Sequence, residues 1–281
     1  MRRSHPSLAK GIVANRDIEY ARVGDNSLRL DLYSPKEPAA RRPLIVWVHG
    51  GGWRNGSKDR CPALRFLAKG YVVASINYRL SGVAIYPAQI HDCKAAIRWL
   101  RAHAEQYSID PRRIGVWGSS AGGHLVALLG TSGGVEPLEG DLGSLDHSSR
   151  VQAVCDFFGP TDFLQMDDHA VPNAPFKHNA PDSPEALVIG GPIQENTKKV
   201  EAANPLTYVT PDDPPFFIVH GDKDPLVPLH QSQLLFDALK RAKVNVKLHV
   251  VEGGQHGFGR NSDVDKLVDS FFDKQLRANS K

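Results

Sequence analysis

Arg113-Ile114-Gly115-Val116-Trp117-Gly118-Ser119-Ser120-Ala121-Gly122-Gly123-His124-Leu125-Val126-Ala127-Leu128-Leu129 is the stretch that decides the fold. Its first part is a short apolar run rich in β-branched and aromatic residues, which reads as a buried strand. Its last part repeats apolar residues at helical spacing. Between them stands Gly118-x-Ser120-x-Gly122, the pattern of a serine held at the tip of a sharp strand-to-helix turn. Such a turn strains the backbone, and side chains two positions away would collide across it, so glycine at 118 and 122 has a steric cause. The helix that follows aims its N-terminal N–H groups at negative charge forming beside Ser120. A glycine-rich turn is weak evidence alone; the strand before it and the helix after it supply the required context. Ser119 is the competing hydroxyl, but it sits off the centre of the two glycines.

Working outward, strands and helices alternate. Residues 17–23 and 28–34 read as an antiparallel hairpin about Gly24-Asp25-Asn26. Pro43–Val48 is a continuous apolar run, as in a strand covered on both faces, and leads into His49-Gly50-Gly51-Gly52-Trp53. Successive glycines after a buried strand leave backbone N–H groups uncovered for a substrate oxyanion, although a flexible loop would look the same. A short helix at 62–69 and a strand at 71–77 follow. Asn77, Tyr78 and Arg79 read as loop-ordering groups. A helix from Pro87 to about Tyr107 carries the stripe Ile90, Cys93, Ile97 and Leu100, with His91, Asp92 and His103 as surface or packing residues. Strands at 151–158, 215–220 and 244–251, and helices at 229–242 and about 264–272, complete the pattern.

The expected fold is α/β: a mostly parallel, twisted sheet of about eight strands with helices on both faces, its ligand site at the carboxyl ends of the strands. The whole of 1–281 is expected to be one domain. Residues 163–206, where periodicity breaks down, are expected to be a small lid insertion. Phe163, Met166 and Phe176 either face substrate or pack the lid down.

Composition narrows the classes. The chain has 281 residues, 41% hydrophobic and 23% charged, as in an ordinary globular domain. A net charge of +3 with mixed signs gives no case for nucleic acid or an anionic membrane, and no run is long enough for a membrane span. Arg2 and Arg3 are followed by no apolar segment before Asp17, so the expectation is a cytoplasmic protein, or a secreted or periplasmic one if a leader has been removed. Cys61, Cys93 and Cys155 read as reduced thiols, with no metal pair and no cofactor expected.

A serine hydroxyl needs a histidine to take its proton and a carboxylate to orient that histidine. After an elbow of this kind the acid precedes the histidine in the chain. Asp224 and His256 fit, each on a loop beyond a strand. Asp222 is the rival acid, nearer its strand end. His249 lies within a strand, while His124 and His220 read as packing groups.

These residues resemble a known family. His49-Gly50-Gly51-Gly52-Trp53, Gly118-Ser119-Ser120-Ala121-Gly122-Gly123, Phe158-Gly159-Pro160-Thr161-Asp162, His220-Gly221-x-x-Asp224-x-x-Val227-Pro228 and His256-Gly257-Phe258 look like the α/β-hydrolase carboxylesterases. The nearest branch is that related to feruloyl and acetyl-xylan esterases, similar to the hormone-sensitive-lipase-like esterases. The resemblance implies a triad of Ser120, Asp224 and His256. It also implies oxyanion donors at the N–H groups of Gly51, Gly52 and Ala121, and a small-molecule ester as partner. Trp53, Phe163 and Phe258 are the candidate substrate contacts. The sequence departs from the lipase-like pattern at Ser119, usually acidic there, and in lacking a long N-terminal helical cap. An aryl-formamidase or a serine peptidase would use the same triad, and a non-catalytic binding protein could share the fold.

Overall fold

The computed structural model describes residues 8–37, 41–172, 174–259 and 261–277; Arg2 and Arg3 lie outside them. Two long strands come first, β1 (Ile12–Val23) and β2 (Asn26–Pro35), paired antiparallel about Gly24-Asp25. β3 (Arg42–Val48), a 3-10 helix (Pro62–Lys69), β4 (Val72–Ile76), α1 (Ala88–Ala102), β5 (Ile109–Ser119) and α2 (Ala121–Thr131) follow. A single turn, α3 (Glu136–Glu139), precedes β6 (Ala153–Phe157). Short 3-10 turns, α4 (Pro184–Ile189) and α5 (Thr197–Ala203) occupy the region before β7 (Phe216–Gly221). The chain closes with α6 (Leu229–Arg241), β8 (Val246–Val251) and α7 (Ser262–Leu276).

The eight strands form one sheet in the order β1-β2-β4-β3-β5-β6-β7-β8. Only the β1–β2 and β2–β4 pairings are antiparallel; the rest are parallel. Side chains alternate across a strand, so one covered on both faces sorts its apolar residues into two layers. On β3, Leu44, Val46 and Val48 join the layer that holds Ile90, Cys93 and Ile97 of α1 and Leu125 and Leu128 of α2. Ile45 and Trp47 join Phe66, Trp117 and, from α7, Val264, Val268 and Phe272. Gly115 admits this second layer: a Cβ there would come within 2.7 Å of the Phe272 ring. The fold is that of the α/β hydrolases.

Two boundaries lie five residues from where the sequence placed them. β1 begins at Ile12 because pairing with β2 continues through an irregularity between Asn15 and Ile18, where Asp17 takes φ +54 and breaks the alternation. α1 stops at Ala102, five residues early. The His103 ring folds back, its Nδ1 2.8 Å from the Trp99 carbonyl, and Ser108 at φ +54 turns the chain into β5. Asp92, expected at the surface or in packing, is fully buried and takes a forked hydrogen bond from Arg79 (Nη2 to Oδ1, 2.6 Å; Nε to Oδ2, 2.9 Å). Cys61, Cys93 and Cys155 are free thiols.

Candidate active site

β5 delivers its last residues to the carboxyl edge of the sheet, and the chain reverses there into α2. Ser120 sits at the reversal with φ +55 and ψ −125, a conformation that L-residues adopt only under constraint. Its N–H donates to the Phe157 carbonyl at 2.8 Å, which fixes the turn to β6. The glycines are required by contact: a Cβ on Gly118 would stand 2.2 Å from the Gly122 carbonyl oxygen, and one on Gly122 2.2 Å from that of Val48.

The glycine loop after β3 lies against this turn. A Cβ on Gly50 would stand 2.6 Å from the Ser119 carbonyl oxygen, and Gly51 and Gly52 take φ +117 and +58. His49 stacks on Tyr78 with ring centres 4.4 Å apart, the Tyr78 hydroxyl donates to the His49 carbonyl at 2.9 Å, and Asn77 Oδ1 accepts from Lys58 N–H at 2.7 Å. Asn77 and Tyr78 thus order the loop, as expected of them. Among the described residues, the N–H groups of Gly51, Gly52 and Ala121 donate to no protein acceptor.

Two loops beyond β7 and β8 meet on the same edge. Lys223 N–H donates to the Gly254 carbonyl at 2.8 Å, and Gly221 packs so closely that a Cβ would stand 2.2 Å from that oxygen. His256 Nδ1 lies 2.7 Å from Asp224 Oδ2, with the carboxylate fully buried and the imidazole partly open. Asp224 Oδ1 accepts from the N–H groups of Leu226 and Val227 at 2.8 and 3.0 Å. Burial alone would raise its pKa, but hydrogen bonds from His220, His256 and Val227 hold it well below the usual carboxylate range. Asp222, the rival acid, accepts from Gly253 N–H at 2.7 Å and braces the His256 loop instead.

Ser120, His256, Gly51, Gly52, Ala121 and Trp53 line one cleft of about 1040 Å³. Phe163 does not: it is 1% exposed and packs with Trp53 and His124 beneath the cleft. Phe258 packs on Phe157 and Phe158 and is likewise outside the lining, whereas Phe176 is within it. Met166 is fully buried. His124 is a structural donor: Nε2 lies 2.7 Å from the Ala203 carbonyl, and burial pushes its pKa down to about 4, leaving the ring neutral.

His220 is more than packing. Its Nε2 lies 3.3 Å from Asp224 Oδ2 and 2.8 Å from the Val227 carbonyl, while Nδ1 lies 2.7 Å from Ser232 Oγ. The i, i+4 spacing to Asp224 was the available signal. Phe158, whose ring centre is 4.6 Å from that of His256, was also unread as a site residue. Among the described residues, no helix is long and apolar enough to cross a membrane, and no group of three His, Cys, Asp or Glu is arranged to hold a metal ion.

Residues 30–239 match the BD-FAE family. The chain belongs to the BD-FAE family. Among relatives, it is 35% identical over 231 residues to esterase LipQ of Mycobacterium tuberculosis, which covers 80% of this chain and 52% of LipQ. The chain spans about half the length of the curated relatives it matches. Among solved structures, a truncated carbohydrate esterase from gut microbiota superposes with a TM-score of 0.86 at 35% identity, covering 96% of this chain and 99% of that one. An acetyl ester-xyloside bifunctional hydrolase from Caldicellulosiruptor lactoaceticus gives a TM-score of 0.74 at 27% identity, covering 89% of each chain. This BD-FAE member shares its fold with esterases over nearly its whole length.

Proposed function

We propose that the protein hydrolyses carboxylic esters through an acyl-enzyme on Ser120. The reading is carried by one observation: the strained Ser120 turn and His256, whose ring is held by the buried Asp224, line the same cleft. Ser120 attacks the ester carbonyl while His256 takes its proton through Nε2. Asp224 fixes the ring with Nδ1–H directed at the carboxylate and stabilises the imidazolium. The N–H groups of Gly51, Gly52 and Ala121 hold the tetrahedral oxyanion. His256 then protonates the leaving alcohol, and a water molecule, activated by the same ring, releases the acid.

Residues 163–206 act as a lid within a single hydrolase unit, a role supported by Phe176, Pro184 and Glu185 in the cleft wall. The names of the structural relatives, a carbohydrate esterase and an acetyl ester-xyloside hydrolase, support an acetyl ester on a carbohydrate as the substrate. Ser120→Ala tests the reading: p-nitrophenyl acetate turnover is expected to fall to background with the fold retained. Wild-type turnover by that variant would contradict it.

A further inference from the structure

The loop that carries Gly51 and Gly52 is fastened at both ends to β4 and the residues just after it. At its start, the Tyr78 hydroxyl donates to the His49 carbonyl. At its far end, Lys58 N–H donates to Asn77 Oδ1 at 2.7 Å, and Ser75 Oγ donates to the Lys58 carbonyl at 2.8 Å. Between these ends the loop closes on itself. The N–H groups of Arg54 and Asn55 donate to the Gly51 carbonyl at 3.1 and 3.0 Å, and a Cβ on Gly56 would stand 2.4 Å from the Gly50 carbonyl oxygen. Lys58 and the two glycines thus belong to one closed unit.

The Lys58 side chain ties that unit to the edge hairpin. It is 1% exposed, and its Nζ forms ion pairs with Asp31 Oδ1 of β2 at 2.7 Å and Asp17 Oδ1 of β1 at 2.9 Å. Asp31 is fully buried; its Oδ1 also accepts from Asp17 N–H at 2.8 Å, and its Oδ2 from the Tyr33 hydroxyl at 3.1 Å. Burial alone would lower the Lys58 pKa, but Asp31 and Asp17 hold it above the usual lysine range, so the ammonium stays charged. Asp17 meets Lys58 from the kink in β1, where its φ of +54 lies in the left-handed region.

Neither feature is explained by stability. Desolvation offsets the attraction within a buried ion pair, and backbone strain persists only where the surroundings impose it. Both converge on the one side chain that joins the glycine loop to β1 and β2.

We propose that Lys58, held by Asp31 and Asp17, is a positioning residue that keeps the Gly51 and Gly52 N–H groups aimed at the oxyanion. The proposal rests on the hydrolase reading and gives the edge hairpin a part in catalysis. The test compares wild type with Lys58→Met and Asp17→Asn. Methionine keeps the length of the side chain without the ammonium; asparagine tolerates the same φ without the charge. Turnover of p-nitrophenyl acetate is expressed per active site, counted by fluorophosphonate labelling carried to completion, so unfolded chains do not enter. Displaced donors weaken transition-state binding, so kcat per site should fall about tenfold in Lys58→Met while KM stays within about twofold. Asp17, with 43% of its side chain exposed, should cost about threefold when replaced, and it keeps the test decisive if Lys58→Met fails to fold. The inhibition constant of a trifluoromethyl ketone, whose serine adduct carries the oxyanion, should rise in the same proportion. A loss of fold alone would lower the number of labelled sites and leave both quantities unchanged. Wild-type kcat per site and inhibition constant in either folded variant would overturn the proposal. An inactive, unlabelled wild type would instead contradict the hydrolase reading.

Discussion

At the scale of single residues, Asp224 is the group whose environment is most specialised. Asp224→Asn would lose the charge and favour the wrong tautomer of His256, and kcat should fall by about 10⁴. Steady-state kinetics on p-nitrophenyl acetate would measure it. Two buried aspartates should also pull stability in opposite directions with pH. The Asp224 carboxyl lies below its unfolded value of about 3.9, so its contribution is complete above about pH 4 and is lost on acidification. Burial pushes Asp156 up to about 6, against the Gly159 N–H that donates to it. Its folded state therefore holds a proton that the unfolded chain releases, and this stabilisation, on the order of 3 kcal/mol, is lost as pH rises from about 4 to about 6. Asp156→Asn should flatten the stability profile in that window, measured by urea unfolding at pH 4.5 and 7. An unchanged profile would sink the assignment. Ser120, Asp224 and His256 were legible because glycine spacing and loop position mark them. His220 was not, since its four-residue spacing to Asp224 does not by itself show that the buried ring faces that carboxylate.

At the scale of elements, the turn between β5 and α2 tolerates no side chain at its glycines. Gly118→Ala places a methyl group 2.2 Å from a backbone oxygen, so the turn must open, and turnover should fall by at least the roughly 10²–10³ that one lost oxyanion donor costs. Kinetics alongside far-UV circular dichroism would separate loss of the site from loss of the fold. Asp92 joins α1 to the loop after β4 through Arg79. Asp92→Ala leaves a guanidinium unpaired and should cost about 3–5 kcal/mol of stability; a urea midpoint near wild type would refute this. The central strands and α1 were legible because continuous apolar runs and a 3.6-residue stripe have few other readings. The start of β1 was hidden by the kink at Asp17. The end of α1 was hidden by His103, which suits a helix as well as a turn. Residues 163–206 carry short helices whose places depend on contacts such as His124 to Ala203, which no local pattern reveals.

At the scale of the molecule, a parallel sheet brings the ends of β3, β5, β7 and β8 to one edge, so residues more than a hundred positions apart come to share one cleft. The strand–helix alternation made this convergence legible; the shape of the cleft depends on Phe176, Pro184 and Glu185 from residues 163–206 and was not. A hydroxyl activated in such a cleft should react where ordinary serines do not. Intact and peptide mass spectrometry after treatment with a fluorophosphonate tests this most directly. The account predicts one adduct per chain, on the peptide containing Ser120, and none on Ser120→Ala. An unlabelled wild-type protein, or an adduct that persists in the variant, would contradict it.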